Sequence, residues 1–366
     1  MRRFFHGMAA LVLSVGPLGM AWAADPQYRV RDLSALTGLS DATVFSMNNR
    51  GDVALYDHDS GHGFLWRDGT LHDLGTAVSG LALNDRGAVA GTRRGADGSA
   101  RAFLWRDGRF TDLNDALGAG SAEANGINAS GQITGTADGR AYVWDGRRVR
   151  YLDLPGATGS TGADISDRGV VGGAFERAND GLDARAFVAR DGRVEVLPEP
   201  IVFEFGGRYE ALAVNDKGSA VVRYWDYNWG DIGSSLYLDG RLIDLGVNRL
   251  AMDINARDWA VGTNFWEVNE DEFVRTAMLY RADGSRDLNG LLVAASAARW
   301  DLQIANAIND RGQIAGYGVL GDGSERIFLA TPVPEASGIA MLLAGLGVVG
   351  AAARVRRRTA GGTAAP

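Results

Sequence analysis

The nine residues LNDRGAVAG at 83–91 return as INDRGQIAG at 308–316, and five looser versions of the same stretch occur elsewhere in the chain. Aligned on their first residue they read NNRG at 48–51, NDRG at 84–87, NASG at 128–131, SDRG at 166–169, NDKG at 215–218, NARD at 255–258 and NDRG at 309–312. The mean spacing is 43.5 residues. A repeat of that period constrains the fold more than any other feature, because one such unit cannot bury its own apolar surface and must stack on its neighbours. The spelling of the repeat is turn chemistry. Asn, Asp or Ser suits the first position of a type I turn, and Gly the last, where φ can be positive. Apolar residues flank each turn, as Leu81, Leu83 and Val89 do around the second, so each motif reads as a β-hairpin.

A second hairpin follows in every unit, clearest in RAFLWRDGRFTDL (101–113), and again in HGFLWRDGTLHDL (62–74), RAYVWDGRRVRYLDL (140–154) and RAFVARDGRVEVL (185–197). SSLYLDGRLIDL (234–245) and AMLYRADGSRDL (277–288) are fainter versions. In Ala102-Phe103-Leu104-Trp105 the aromatics fall on one face of the strand and Ala and Leu on the other. A strand that is apolar on both faces must be covered on both faces, as stacked propeller blades are. Two hairpins give four strands per unit. The expected fold is therefore an all-β, seven-bladed propeller of four-stranded blades, with six or eight blades as the alternatives. The seventh unit runs into the C-terminal tail after RIFLA (326–330) without a fourth strand, while YRVRDL (28–33) matches GRFTDL (108–113). The N-terminal strand is thus expected to complete the last blade.

These units resemble HAF repeats, a bacterial extracellular repeat family with an A-I-N-x-x-G hairpin and an H-A-F-L-W strand. Ala307-Ile308-Asn309 with Gly312, and His62-Gly63-Phe64-Leu65-Trp66, carry the likeness, which extends over about residues 28–331. Ser166, Asp258 in place of the turn glycine, and Arg for the strand's His in several units depart from it. The resemblance implies an extracellular location and a repeat architecture; it implies no chemistry.

Both ends read as targeting devices. Arg2 and Arg3 precede the apolar run 8–20, and Ala21-Trp22-Ala23 fits small-x-small cleavage, so residues 1–23 are expected to be a secretory signal peptide. At the other end an apolar stretch, 336–353, lies between Pro334-Glu335 and Arg354, Arg356, Arg357 and Arg358. Its eighteen residues are enough to span a bilayer core of about 30 Å as a single transmembrane-type helix, with the 354–358 arginine cluster on the cytoplasmic side. That order resembles the PEP-CTERM sorting signal of Gram-negative bacteria, apart from Ala336 where a second proline is usual. The resemblance implies an exosortase-type enzyme as partner; an uncleaved single-pass anchor is the alternative. The expected division is leader 1–23, propeller 24–333 and sorting segment 334–366. Between the ends, 31 basic residues face 44 acidic ones, which disfavours a nucleic-acid surface. With no cysteine, disulfides, thiolate metal sites and cysteine nucleophiles are excluded.

In such a blade the N-x-x-G and Asp-Gly turns share one face of the disc. The variable connections share the other, where binding groups gather. Two of these stand out: RYWDYNWGDIG (223–233) in blade five and NFWEVNEDEF (264–273) in blade six. They are expected as long loops bringing Trp225, Tyr227, Trp229 and Trp266 near Asp226, Asp231, Glu267 and Asp271, a set suited to a sugar; the alternative is that the aromatics cap blade edges. The mature chain's histidines, His58, His62 and His72, all fall in blade one. Asp57 and Asp59 beside them lack the further ligands of a calcium loop, so no metal is expected, and no cofactor. There is no G-x-S-x-G, H-E-x-x-H or P-loop. The sequence points to an exported, non-catalytic scaffold recognising polysaccharide or a surface protein. A glycan-active enzyme using carboxylates such as Glu270 and Asp271, or a purely structural surface protein, are the alternatives.

Overall fold

The computed structural model describes residues 25–334 other than 77, 178–182, 200–206, 227–229 and 270–271. The expected leader, the apolar segment 336–353, Glu335 and the four C-terminal arginines lie outside the described residues. Among the described residues no helix is long and apolar enough to cross a membrane.

The chain is all-β. Its described strands form five four-stranded antiparallel sheets and one of eight strands. The eight-stranded sheet is two four-stranded meanders that touch through a single parallel pair, Ala184 and Arg208. Numbering the four-stranded units along the chain, units 1 to 6 cover 42–76, 78–112, 122–151, 159–196, 207–247 and 249–287. Unit 7 takes three strands from 300–333, and its fourth is Gln27–Asp32, paired antiparallel from Gln27 with Val333 to Asp32 with Phe328. The N-terminal strand thus completes the last sheet, as expected.

Turn chemistry explains each hairpin. Asn48 Oδ1 accepts the backbone N–H of Arg50 and of Asp52, both at 3.0 Å, and Gly51 follows at φ 87°. In the second hairpin Asp107 and Gly108 both have positive φ, 49° and 79°, the type I′ geometry that matches strand twist. The strand between them is covered on both faces. Ala102 and Leu104 pack toward unit 3, and Phe103 and Trp105 toward unit 1. All four are buried, and truncating either aromatic to Ala costs about 3–5 kcal/mol.

Two features recur from unit to unit. One is a ladder of side-chain amides: Nδ2 of Asn48, Asn84 and Asn128 donates in turn to the backbone carbonyl of Asn84, Asn128 and Ser166. Asn215, Asn255 and Asn309 donate likewise to Asn255, Asn309 and Asn48. The other is a bulge in the first strand of every unit, falling for example between Val44 and Ser46 and between Ala251 and Asp253. The extra residue turns inward. Phe45, Asn125, Leu212, Met252 and Asn306 thereby line a central opening of about 460 Å³.

Candidate functional site

The variable connections share one face of the assembly and the tight turns the other, as the repeat predicts. Helical turns at 33–37, 114–117 and 294–297 lie on the variable side. The two stretches expected as long loops are corrected by the structure, because most of their residues are strand. Arg223–Asp226 ends the strand Ala220–Asp226, and Ile232 opens the next, with Trp225 opposite Ile232. In unit 6 the strands Ala260–Asn269 and Glu272–Arg281 form one long hairpin, with Trp266 opposite Val274 and Glu267 opposite Phe273. The alternation of β-branched and aromatic residues there carries the pairing outward, past the point where other units turn.

Strand alternation decides which expected site residues meet. In unit 5, Ala220, Val222 and Tyr224 pack toward unit 4 and Val221 toward unit 6, so Trp225 faces unit 6. In unit 6, Ala260, Met278 and Tyr280 pack toward unit 5, and Trp266 with its partner Val274 continues that face. The two tryptophans therefore stand on facing sheets, each 48% exposed. One residue, Asn248, joins the sheets beside them: its N–H donates to Ile232 O, and its carbonyl accepts from Phe265 N–H. The carboxylates do not converge on this cleft. Asp226 is buried on the unit 4 side, and Glu267 is exposed on the face away from unit 5. Asp231 is exposed at the turn, its carbonyl accepting from Asp226 N–H at 2.8 Å. Tyr227, Trp229 and Asp271 lie outside the described residues.

The histidines have separate partners. His62 Nδ1 lies 2.9 Å from Asp73 in the neighbouring strand. Arg101 and Asp112 hold the same cross-strand positions in unit 2 at 2.6 Å, so His62 plays an edge role. His58 Nε2 bonds Thr43 Oγ1, and His72 lies against Trp105. Among the described residues no His/Asp/Glu group is arranged to hold a metal ion.

The sequence reading missed other features. A groove of about 860 Å³ opens between units 4 and 5 on the tight-turn side, lined by Arg190, Arg193, Glu195, Lys217 and Tyr237. Burial and the hydrogen bond to Glu195 push the Tyr237 phenol up to about 12. In the central opening, Asp164 accepts the N–H of Ile165 and, from the next unit, of Val214. Asp253 does the same with Ile254 and Ile308. Burial pushes both carboxyls up, that of Asp253 to about 7. The signal was present in the sequence: the first strands of the other units carry Ser, Ala or Gly where these two carry Asp.

The protein-family model that matches is that of the PEP-CTERM protein-sorting motif, over residues 332–358. This motif is the substrate signal of exosortases and marks an exported surface protein. No curated protein matches the chain. Among solved structures it is similar to a streptogramin B lyase, at 13% identity and a TM-score of 0.52, with 84% of this chain and 98% of that chain covered. It is also similar to a putative TolB from Agrobacterium tumefaciens (12% identity, TM-score 0.42, 85% and 100% covered). A lectin from Aleuria aurantia gives 10% identity and a TM-score of 0.36, with 85% and 100% covered. The fold is thus propeller-like, an all-β assembly of repeated four-stranded sheets.

Proposed function

We propose that the protein is an exported, surface-displayed seven-bladed propeller of the HAF-repeat kind, built of leader 1–23, propeller 24–333 and sorting segment 334–366. In this reading it binds carbohydrate without catalysis in the cleft between units 5 and 6. The observation that carries the reading is the placement of Trp225 and Trp266 on facing sheets, each half-exposed on the variable face. Flat indole faces supply large contact area at low entropic cost. Extracellular polysaccharide fits a surface-displayed protein with so acidic a domain when the polymer is neutral. The glycan-active alternative needs two carboxylates across one cleft, and the described Asp226 and Glu267 turn to different neighbours.

The test is a glycan array and an exopolysaccharide pull-down with wild type, Trp225→Ala and Trp266→Ala. Each truncation is expected to weaken binding about tenfold, the worth of one lost aromatic stack. Wild type that retains no glycan would overturn the reading and leave a surface protein as partner.

A further inference from the structure

The face opposite that cleft carries its own pattern. The third position of the N-x-x-G turn is basic in six of the seven units: Arg50, Arg86, Arg168, Lys217, Arg257 and Arg311. All six are exposed, on a domain in which 31 basic residues are outnumbered by 44 acidic ones. Arg168 and Lys217 pair with Asp216 and Asp258, while the other four have no carboxylate partner among the described residues. The acidic second positions lie inside this ring, next to the axis. Asp85, Asp167 and Asp310 line a small central depression there. Each already accepts a backbone N–H from the preceding unit's turn, of Asn49, Ala129 and Ala256 respectively. The Asp-Gly turns add exposed charges of both signs on the same face, Asp68, Asp107, Asp191 and Asp239 as well as Arg106, Arg109, Arg147 and Arg148.

Topology adds an independent fact. The third strand of every unit runs toward the tight-turn face. In unit 7 that strand is Glu325–Val333, so the chain leaves the fold at Pro334 on this face. The sorting motif matched at 332–358 begins within that strand, where Pro332 pairs with Tyr28. Whatever holds the C-terminal segment therefore holds the tight-turn face toward itself.

We infer that the tight-turn face is a docking surface for anionic lipid headgroups, met while the chain is tethered through its C-terminal motif. The exposed ring of basic side chains then lies against the membrane, and the variable face with its tryptophans points outward, about 20 Å away across strands of roughly six residues at ~3.3 Å each. Each basic side chain close to an anionic bilayer adds about fivefold to membrane affinity, and the gain is screened by salt. This goes beyond the carbohydrate reading, concerns the opposite face, and stands or falls separately from it.

The native chain has no cysteine, so single labels can be placed at will. Ser130→Cys sits at the one non-basic third turn position, and Thr158→Cys on the variable face; both sites are exposed. The full chain is reconstituted in vesicles of phosphatidylcholine with or without phosphatidylglycerol, and energy transfer is read from each label to a lipid-surface acceptor. Transfer from position 130 is expected to exceed that from 158 several-fold in anionic vesicles. It should fall in neutral vesicles, at high salt, and in the Arg50→Gln/Arg86→Gln/Arg257→Gln/Arg311→Gln variant. Equal transfer from the two labels, or transfer from 130 that ignores lipid charge, would overturn the proposal. So would capture of the chain by soluble dextran sulfate without any response to anionic vesicles, which would make the ring a polyanion site.

Discussion

Asn309 donates its side-chain amide to the backbone carbonyl of Asn48 at 2.9 Å, across 261 residues of sequence. It is the amide contact that Asn48 makes with Asn84, repeated between the last unit and the first. Asn309 Oδ1 also accepts the N–H of Arg311 and of Gln313. One buried side chain thus shapes its own turn and ties the ends of the repeat array together. Asn309→Ala strands two backbone donors and one carbonyl, and an unmet buried group costs about 1–3 kcal/mol. The expected loss is about 2–4 kcal/mol in urea unfolding. A loss under about 1 kcal/mol would show that water replaces the amide and that the ladder contributes little.

The ladder has one missing rung. Ser166 occupies the asparagine position of unit 4 and has no amide to send to unit 5; Asp164 instead accepts the N–H of Val214 from that unit. Ser166→Asn supplies the donor that the other six units already carry. It is expected to stabilise the protein by about 1 kcal/mol, the net worth of one added hydrogen bond. Chemical denaturation of the two proteins side by side decides the matter, and a destabilised variant would mean that the unit 4–5 spacing differs from the rest.

What could be read from the sequence follows from how local each cause is. The turns are local, so Asn48 and Gly51, or Asp107 and Gly108, announce hairpins within four residues. The two-sided burial of Phe103 and Leu104 is written in one strand, and from it the stacking of units could be argued. The amide ladder was hidden behind turn propensity, because Asn serves both roles and only the structure shows the second. The bulges had no signal, since an extra inward residue such as Phe45 or Met252 looks like ordinary alternation until its partner strand is known. Of the aromatic set, Trp225 and Trp266 stand on facing sheets, while Asp226 and Glu267 were scattered by strand parity once their supposed loops proved to be strand.

The carboxyl of Asp253 is pushed up to about 7, chiefly by burial, with Asp164 and Asp310 adding to the effect against the backbone donors that oppose it. Its folded value is above its unfolded one of 3.8. The folded state therefore holds a proton that the unfolded chain has released, and stability falls as pH rises between those two values. The contribution is complete below about pH 4 and gone above about pH 8. Asp253→Asn removes the titration while keeping one acceptor for Ile308 N–H. The slope of unfolding free energy against pH from about 5 to 8 is expected to be visibly flatter in the variant. Parallel slopes would mean that Asp253 stays charged in the folded protein.

The closing strand makes the strongest demand on the fold. Gln27–Asp32 supplies the fourth strand of unit 7, Tyr28 within it is fully buried against units 6 and 7, and just ahead of it Asp25 accepts from both Arg281 and Arg286 at 2.6 and 2.9 Å. Those two guanidiniums hold the Asp25 carboxyl below the usual carboxylate range. Removing residues 25–32 leaves the strand Glu325–Val333 as an open edge of unpaired N–H and C=O groups, an invitation to pair with another copy. The truncated chain is expected to elute as dimers and larger species. A synthetic peptide covering 25–37, which restores the strand together with Ser34 Oγ as acceptor for Ile327 N–H, should return it to the elution position of the untruncated chain. Size-exclusion chromatography with light scattering reads both outcomes. A monomeric truncated chain that unfolds at the wild-type temperature would show that the N-terminal strand is an ornament on a ring already closed without it.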